Sequence, residues 1–139
     1  MTYDYLTVGA VGPLIVGMPR NDVRSLLGED FRAFKKTAAA LNTIDAYDGH
    51  ELHVYYDESD TVKGVEFFKG SSFLWKDRAL VGETYAEVKE CFSREGVDFS
   101  VDNYGAYVDK LGMAFYIPDI GDEGDEAIVE SLYLDLTVN

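Results

Sequence analysis

The groups in this chain with the reactivity to act on a ligand are two histidines, one cysteine and a large excess of carboxylates. His50 and His53 flank Glu51 where a loop runs into an alternating segment. Zinc needs three or four nitrogen, sulfur or oxygen ligands converging at fixed geometry. No cysteine lies near and spacing fixes no third ligand, so His53 reads as a surface histidine and no metal is assigned. The stretch Asp119-Ile120-Gly121-Asp122-Glu123-Gly124-Asp125-Glu126 has the charge for calcium. It lacks the alternating ligand positions of a calcium loop and reads as a solvated hairpin loop. Cys91 falls where Leu26 falls in an earlier helix, which predicts a small buried hydrophobe at both places. A nucleophile needs a positioned base, and neither histidine has a recognisable relation to this thiol. The glycines from Gly9 to Gly17 have the wrong spacing for a phosphate loop or a dinucleotide fingerprint. Carboxylates are numerous enough to leave a glycosidase-like pair open. No residue reads as catalytic and no cofactor is implied.

Recognition is the more promising chemistry, and it depends on which elements carry the aromatic residues. Val16-Gly17-Met18-Pro19-Arg20-Asn21-Asp22-Val23-Arg24-Ser25-Leu26-Leu27 aligns with Val81-Gly82-Glu83-Thr84-Tyr85-Ala86-Glu87-Val88-Lys89-Glu90-Cys91-Phe92. Both stretches have apolar residues at helical spacing: Val23, Leu26 and Leu27 in one, Tyr85, Val88, Cys91 and Phe92 in the other. Pro19 suits a first helical turn, Thr84 with Glu87 suits a capping box, and Gly28 suits a stop. A second block also recurs. Leu52–Tyr56 matches Met113–Ile117, and Val62–Phe67 matches Val129–Leu134, each pair reading as two period-two strands joined by a polar turn.

The order helix, variable segment, strand, turn, strand thus occurs twice, over roughly residues 14–75 and 80–139, inside one domain spanning 1–139. Units this short bury little alone, so the two are expected to share one sheet. The fold class is α+β: two tandem helix-plus-strand units forming one continuous antiparallel sheet with helices on one face. Phe73-Leu74-Trp75 is expected to add a strand at the junction. Residues 31–42 read as a strand followed by a loop or helical turn.

Alternation then sorts the side chains. Leu52, Val54, Tyr56, Val65 and Phe67, with Met113, Phe115, Ile117, Leu132 and Leu134, should face the helices. The opposite face would carry His53, Tyr55, Glu66, Phe68, Tyr116, Tyr133 and Asp135. Tyrosine and phenylalanine beside carboxylates on an uncovered sheet are what a protein-binding surface presents, since aromatics give anchor area at low entropy cost. The same pattern also suits cross-strand aromatic pairs that only stabilise a sheet.

Composition limits the partner. In 139 residues, 26 acidic side chains face 12 lysines and arginines, for a formal charge of −14. Nucleic acids and anionic membranes are disfavoured, because both need a basic footprint. A basic protein partner fits, as does plain solubility. Hydrophobic residues at 47% and charged residues at 27% describe a globular chain. One cysteine excludes an internal disulfide. No basic leader and no bilayer-length apolar run is visible, so a cytoplasmic chain is expected.

The string Gly17-Met18 to Val23, continuing through Leu26-Leu27-Gly28, with the later Tyr55-Tyr56-Asp57 hairpin end, resembles a known repeat. It is similar to that of β-lactamase-inhibitory-protein-like domains and of the related small outer-membrane-assembly lipoprotein domains of the SmpA type. The resemblance covers most of the chain as two copies. It implies helices packed on one face of a continuous antiparallel sheet, whose other face grips a target protein. Similar tandem domains also look like bacterial immunity proteins that neutralise a toxin. The chain lacks a lipobox cysteine near its start and the cysteine pairs of the secreted inhibitors, which disfavours both of those roles. Three functions remain: a protein-binding module, of which an immunity or inhibitor protein is one form; a small-molecule binder or enzyme with a cleft between the two units; and a homodimeric assembly protein.

Overall fold

A computed structural model describes residues 1–139. In chain order the elements are β1 (Tyr3–Asp4), β2 (Ala10–Val11), β3 (Leu14–Ile15), α1 (Arg20–Leu27), β4 (Arg32–Phe34), β5 (Ile44–Tyr47), β6 (Leu52–Tyr56), β7 (Val62–Phe68) and β8 (Phe73–Leu74). They continue with α2 (Tyr85–Glu95), β9 (Ser100–Val101), β10 (Gly105–Val108), β11 (Met113–Tyr116), α3 (Ile120–Glu123) and β12 (Ser131–Asp135). The molecule is a mixed α/β fold with three helices and a large antiparallel sheet.

The helices start and stop where local chemistry dictates. Pro19 holds extended backbone just before α1, one residue ahead of its expected place, and Gly28 closes the helix at φ +98°. The Thr84 hydroxyl accepts from the Glu87 N–H at the start of α2, and Gly96 ends it in the left-handed region. Arg20, Val23 and Leu27 form the buried stripe of α1. Leu26, expected to be buried, is 45% exposed. The stripe runs through positions 20, 23 and 27, so Leu26 lies about 100° round the helix from its neighbour Leu27. Cys91 is buried as expected, and burial raises its thiol pKa, which disfavours thiolate formation.

The eight-stranded sheet has the order β4-β5-β6-β7-β12-β11-β10-β9, antiparallel throughout. β7 and β12 pair at its centre, with Glu66 opposite Tyr133, Gly64 opposite Asp135 and Phe68 opposite Ser131. Each outer flank has a pair of strands joined through a single turn of 3-10 helix: Asp48–His50 between β5 and β6, and Asp109–Leu111 between β10 and β11. Both turns end in a left-handed residue, Glu51 at φ +55° and Gly112 at φ +69°.

Every residue assigned by alternation to the covered face is buried: Leu52, Val54, Tyr56, Val65, Phe67, Met113, Phe115, Ile117, Leu132 and Leu134. They join Val23, Leu27, Val88 and Phe92 of the helices in one hydrophobic cluster that draws on both halves of the chain. Apolar burial on this scale is the main stabilising contribution to a fold of this size.

The expected junction strand forms over Phe73–Leu74 and pairs in parallel with Tyr3–Asp4, outside the large sheet. Two further sequence expectations need correction. The acidic stretch 119–126 is not a plain hairpin loop: it folds as α3 and a 3-10 turn over Gly124–Glu126, with Ile120 and Ala127 buried beneath it. Asp125 there pairs with Lys89 of α2 at 2.6 Å, so part of its charge is neutralised within the protein. The last strand begins at Ser131, two residues later than expected, because Val129 hydrogen-bonds to Glu83 and Thr84 bridges to Ile128. In residues 31–42 the expected strand is β4. The strand beyond it, β5, is one that alternation missed, since all four of its residues are buried.

Candidate functional site

The strand register assembles one face of the sheet from rows that cross it. One row runs Arg32, Ala46, His53, Glu66, Tyr133, Ala114, Tyr107, Ser100. A second runs Phe34, Ile44, Tyr55, Gly64, Asp135, and a third runs Phe68, Ser131, Tyr116, Gly105. All seven residues expected on the open face therefore lie on one side of the sheet. Six of them are half-buried, and Tyr116 is 48% exposed.

Glu66 is at the centre. The Tyr55 hydroxyl donates to one carboxylate oxygen at 2.9 Å and the Ser131 hydroxyl donates to the other at 3.0 Å. No lysine or arginine forms an ion pair with it. Tyr55 and Tyr133 meet edge to face, with ring centroids 5.0 Å apart. The end of the Tyr133 ring lies over Gly64, where any Cβ would collide with it. A glycine is needed here to let the tyrosine lie down on the sheet, and Tyr133 is correspondingly half-buried. Burial, then the charges of Asp135 and Glu66, push its phenol up to about 12. Tyr55 is raised further, again by burial first and Glu66 second. Both phenols are therefore neutral hydrogen-bonding groups at physiological pH.

His53 lies between Phe34 and Phe68, at centroid distances of 5.5 and 4.6 Å. Burial lowers its pKa, which favours the neutral imidazole. His50 is elsewhere, hydrogen-bonded to the Tyr3 hydroxyl at 3.0 Å, so the two histidines do not converge. No group of three histidine, cysteine or acidic side chains is placed to hold a metal ion. Asp135 stands at the end of β12 and turns its carboxylate to the Thr137 N–H and hydroxyl, away from the centre of the face.

Three residues of this site were not anticipated. Ser131 was legible, since it shares the parity of Tyr133 on its strand. Tyr107 was not, because β10 was not recognised as a strand. Lys36 comes from the segment after β4. Its ammonium donates to the Tyr55 hydroxyl at 3.2 Å and lies 5.5 Å from that ring's centre. Beside Glu66 a cleft of about 330 Å3 opens between Tyr107, Tyr116 and Tyr133, with Lys36, Ala114 and Ser131 also among its lining residues. A larger hollow of about 600 Å3 lies to one side, between residues 36–44 and the β6–β7 turn.

The covered side of the sheet contains a second polar cluster that sequence reasoning missed. Asp45, fully buried on β5, accepts two bonds from Arg24 at 2.9 Å, one from Arg20 at 3.3 Å and one from the Tyr56 hydroxyl at 3.0 Å. Arg20 also reaches Asn42, Thr43 and Asp60, and stacks on the Tyr56 ring at 4.0 Å. With Asp45 fully bonded inside the protein, this cluster anchors residues 42–60 to α1.

No protein-family model matches the chain, and searches of curated proteins and of solved structures return no match either. No helix is long and apolar enough to cross a membrane.

Proposed function

We propose that this chain is a protein-binding module that engages a basic partner through the open sheet face, in the manner of an immunity or inhibitor protein acting in the cytoplasm. The observation that carries the reading is the composition of that face. A carboxylate without a cationic partner, Glu66, sits among Tyr55, Tyr116 and Tyr133, while the other side of the sheet is sealed by core residues. Aromatic anchors around a desolvated polar group are the usual make-up of an interface centre. The formal charge of −14 favours a basic partner.

The reading of the chain as two tandem units with helices on one face, similar to β-lactamase-inhibitory-protein-like repeats, is part of the same proposal. The sheet supports it in one respect. Matching Val62–Phe67 to Val129–Leu134 makes Glu66 equivalent to Tyr133, and these two residues pair directly. The neighbouring pairs, Gly64 with Asp135 and Phe68 with Ser131, exchange under the same relation. Two copies of one unit joined last strand to last strand around a local two-fold would have this register. The cleft of about 330 Å3 at that junction favours the small-molecule reading as second choice, being at the low end of ligand-site sizes.

Affinity capture from the native cell tests the leading reading, using the parent and folded Tyr116→Ala and Tyr133→Ala variants as baits. A basic protein held by the parent and lost from both variants is expected, with each substitution costing on the order of 2 kcal/mol in direct binding measurements. The association rate should fall as salt rises. If every captured protein is retained equally by the variants, the interface is not on this face.

A further inference from the structure

Resting on the reading of the open face as the binding surface, we propose that Glu66 and the cleft beside it form a seat for a single arginine side chain of the partner. A carboxylate offers about four acceptor positions. Glu66 uses two of them, on the Tyr55 and Ser131 hydroxyls, and these bonds lock its orientation. The remaining lone pairs have no lysine or arginine within ion-pair distance.

The sheet leaves room for the missing cation at this place. Tyr133 leans over Gly64, which clears the ground on its other side. In the same row Ala114 stands between Tyr133 and Tyr107, and its methyl group leaves a slot between the two aromatic residues. Strands are about 4.8 Å apart, so β10 and β12 on either side of Ala114 lie roughly 10 Å from each other, wide enough for a flat group to enter between Tyr107 and Tyr133. The slot, Glu66 and the exposed Tyr116 line one continuous cleft.

A guanidinium matches this geometry better than an ammonium. It is planar, stacks on aromatic faces, is weakly hydrated and presents a fork of donors to a carboxylate. The face already tolerates one cation: Lys36 lies over the Tyr55 ring and bonds its hydroxyl, which in turn bonds Glu66. Lys36 also lines the cleft but is held on the Tyr55 hydroxyl and makes no ion pair with Glu66, so the carboxylate itself has no cation on it.

The test is an NMR titration of the nitrogen-15-labelled full chain with N-acetyl-arginine amide and with its neutral isostere, N-acetyl-citrulline amide. The arginine probe should shift the amides of Glu66, Ala114, Ser131 and Tyr133 saturably, and the citrulline probe should not. Glu66→Gln keeps the shape and both hydroxyl neighbours, and should weaken the arginine probe by about tenfold or more. Ala114→Leu keeps the charge and fills the slot, and should block the probe as well. Glu83→Gln, which removes an exposed carboxylate elsewhere, should change affinity by less than about twofold. Shifts scattered over the acidic surface, equal binding of citrulline, or an unchanged response in Glu66→Gln would overturn the seat. Should the probe fail this way while Tyr116→Ala still loses the captured partner, the seat is wrong and the open-face reading stands.

Discussion

Replacing Asp45 with alanine separates a buried ionic cluster from an exposed one on the same arginine. Asp45 is fully buried and is bonded by Arg24, Arg20 and Tyr56. Its removal leaves the Arg20 side chain, 8% exposed, and the Arg24 side chain, 28% exposed, without their shared anion, and orphans the Tyr56 hydroxyl. Losing one partner of a buried ion pair costs about 3–5 kcal/mol, because the charge left behind is uncompensated. Arg20 retains Asp60, Thr43 and Asn42, which places the expected loss nearer 3 than 5 kcal/mol on that ~3–5 kcal/mol scale. Against an ordinary total of about 5–15 kcal/mol, this lowers the melting temperature by roughly 10 °C or more. Asp60→Ala removes a carboxylate whose side chain is 60% exposed from the same Arg20, and should cost far less. Converting Arg20, Arg24 and Asp45 together to apolar residues of similar volume should recover much of the loss, since no unpaired charge then remains. Thermal and urea melts of the set provide the measurement. If Asp45→Ala and Asp60→Ala melt alike, the cluster is not a buried anchor and the account of residues 42–60 fails.

Val23→Asp and Val88→Asp each put a charge into a fully buried position under the sheet and should cost several kcal/mol, enough to unfold a domain of ordinary stability; melts matching the parent would refute the helix phase. Gly105→Ala should be similarly damaging, because its Cβ would strike the Phe115 carbonyl on the paired strand and rigid backbone cannot move aside; unchanged stability would mean the β10–β11 register is wrong. At high pH the buried phenols should drive unfolding. Tyr3, Tyr47 and Tyr133 are held up to about 12 chiefly by burial, whereas the unfolded chain ionises near its ordinary value of 10.0. Stability is thus complete below the ordinary value and is lost as pH rises toward about 12, at up to ~1.4 kcal/mol per pH unit for each phenol. Tyrosinate absorbance should appear for these rings only together with loss of the folded circular-dichroism signal; ionisation without unfolding would show that they are accessible.

On β6, β7, β11 and β12, period-two alternation was enough to determine which residues face the core and which do not. Leu52, Val54 and Tyr56 fall on one side and His53 and Tyr55 on the other whatever the strand pairs with, because successive side chains of an extended backbone point in opposite directions. Capping chemistry located the start of α2, where Thr84 and Glu87 act three residues apart. Helix phase was less legible on α1. A stripe containing Arg20 does not look apolar, so Leu26 took its place in the reading.

Tertiary structure alone decided what the open face can do. Glu66 and Ser131 are bonded across 65 positions of sequence, and Tyr133 is set over Gly64 by the pairing of β7 with β12. Nothing local to either strand specifies that register, because it follows from packing two halves of the chain over one core. The Asp45 cluster was hidden for the same reason. A buried carboxylate is stable only when its partners arrive from elsewhere, here from Arg20 and Arg24 on a helix more than twenty residues earlier in the chain. Residue types and alternation therefore determined the ingredients of each face, and long-range register decided which carboxylate was neutralised inside the protein and which was left open at its surface.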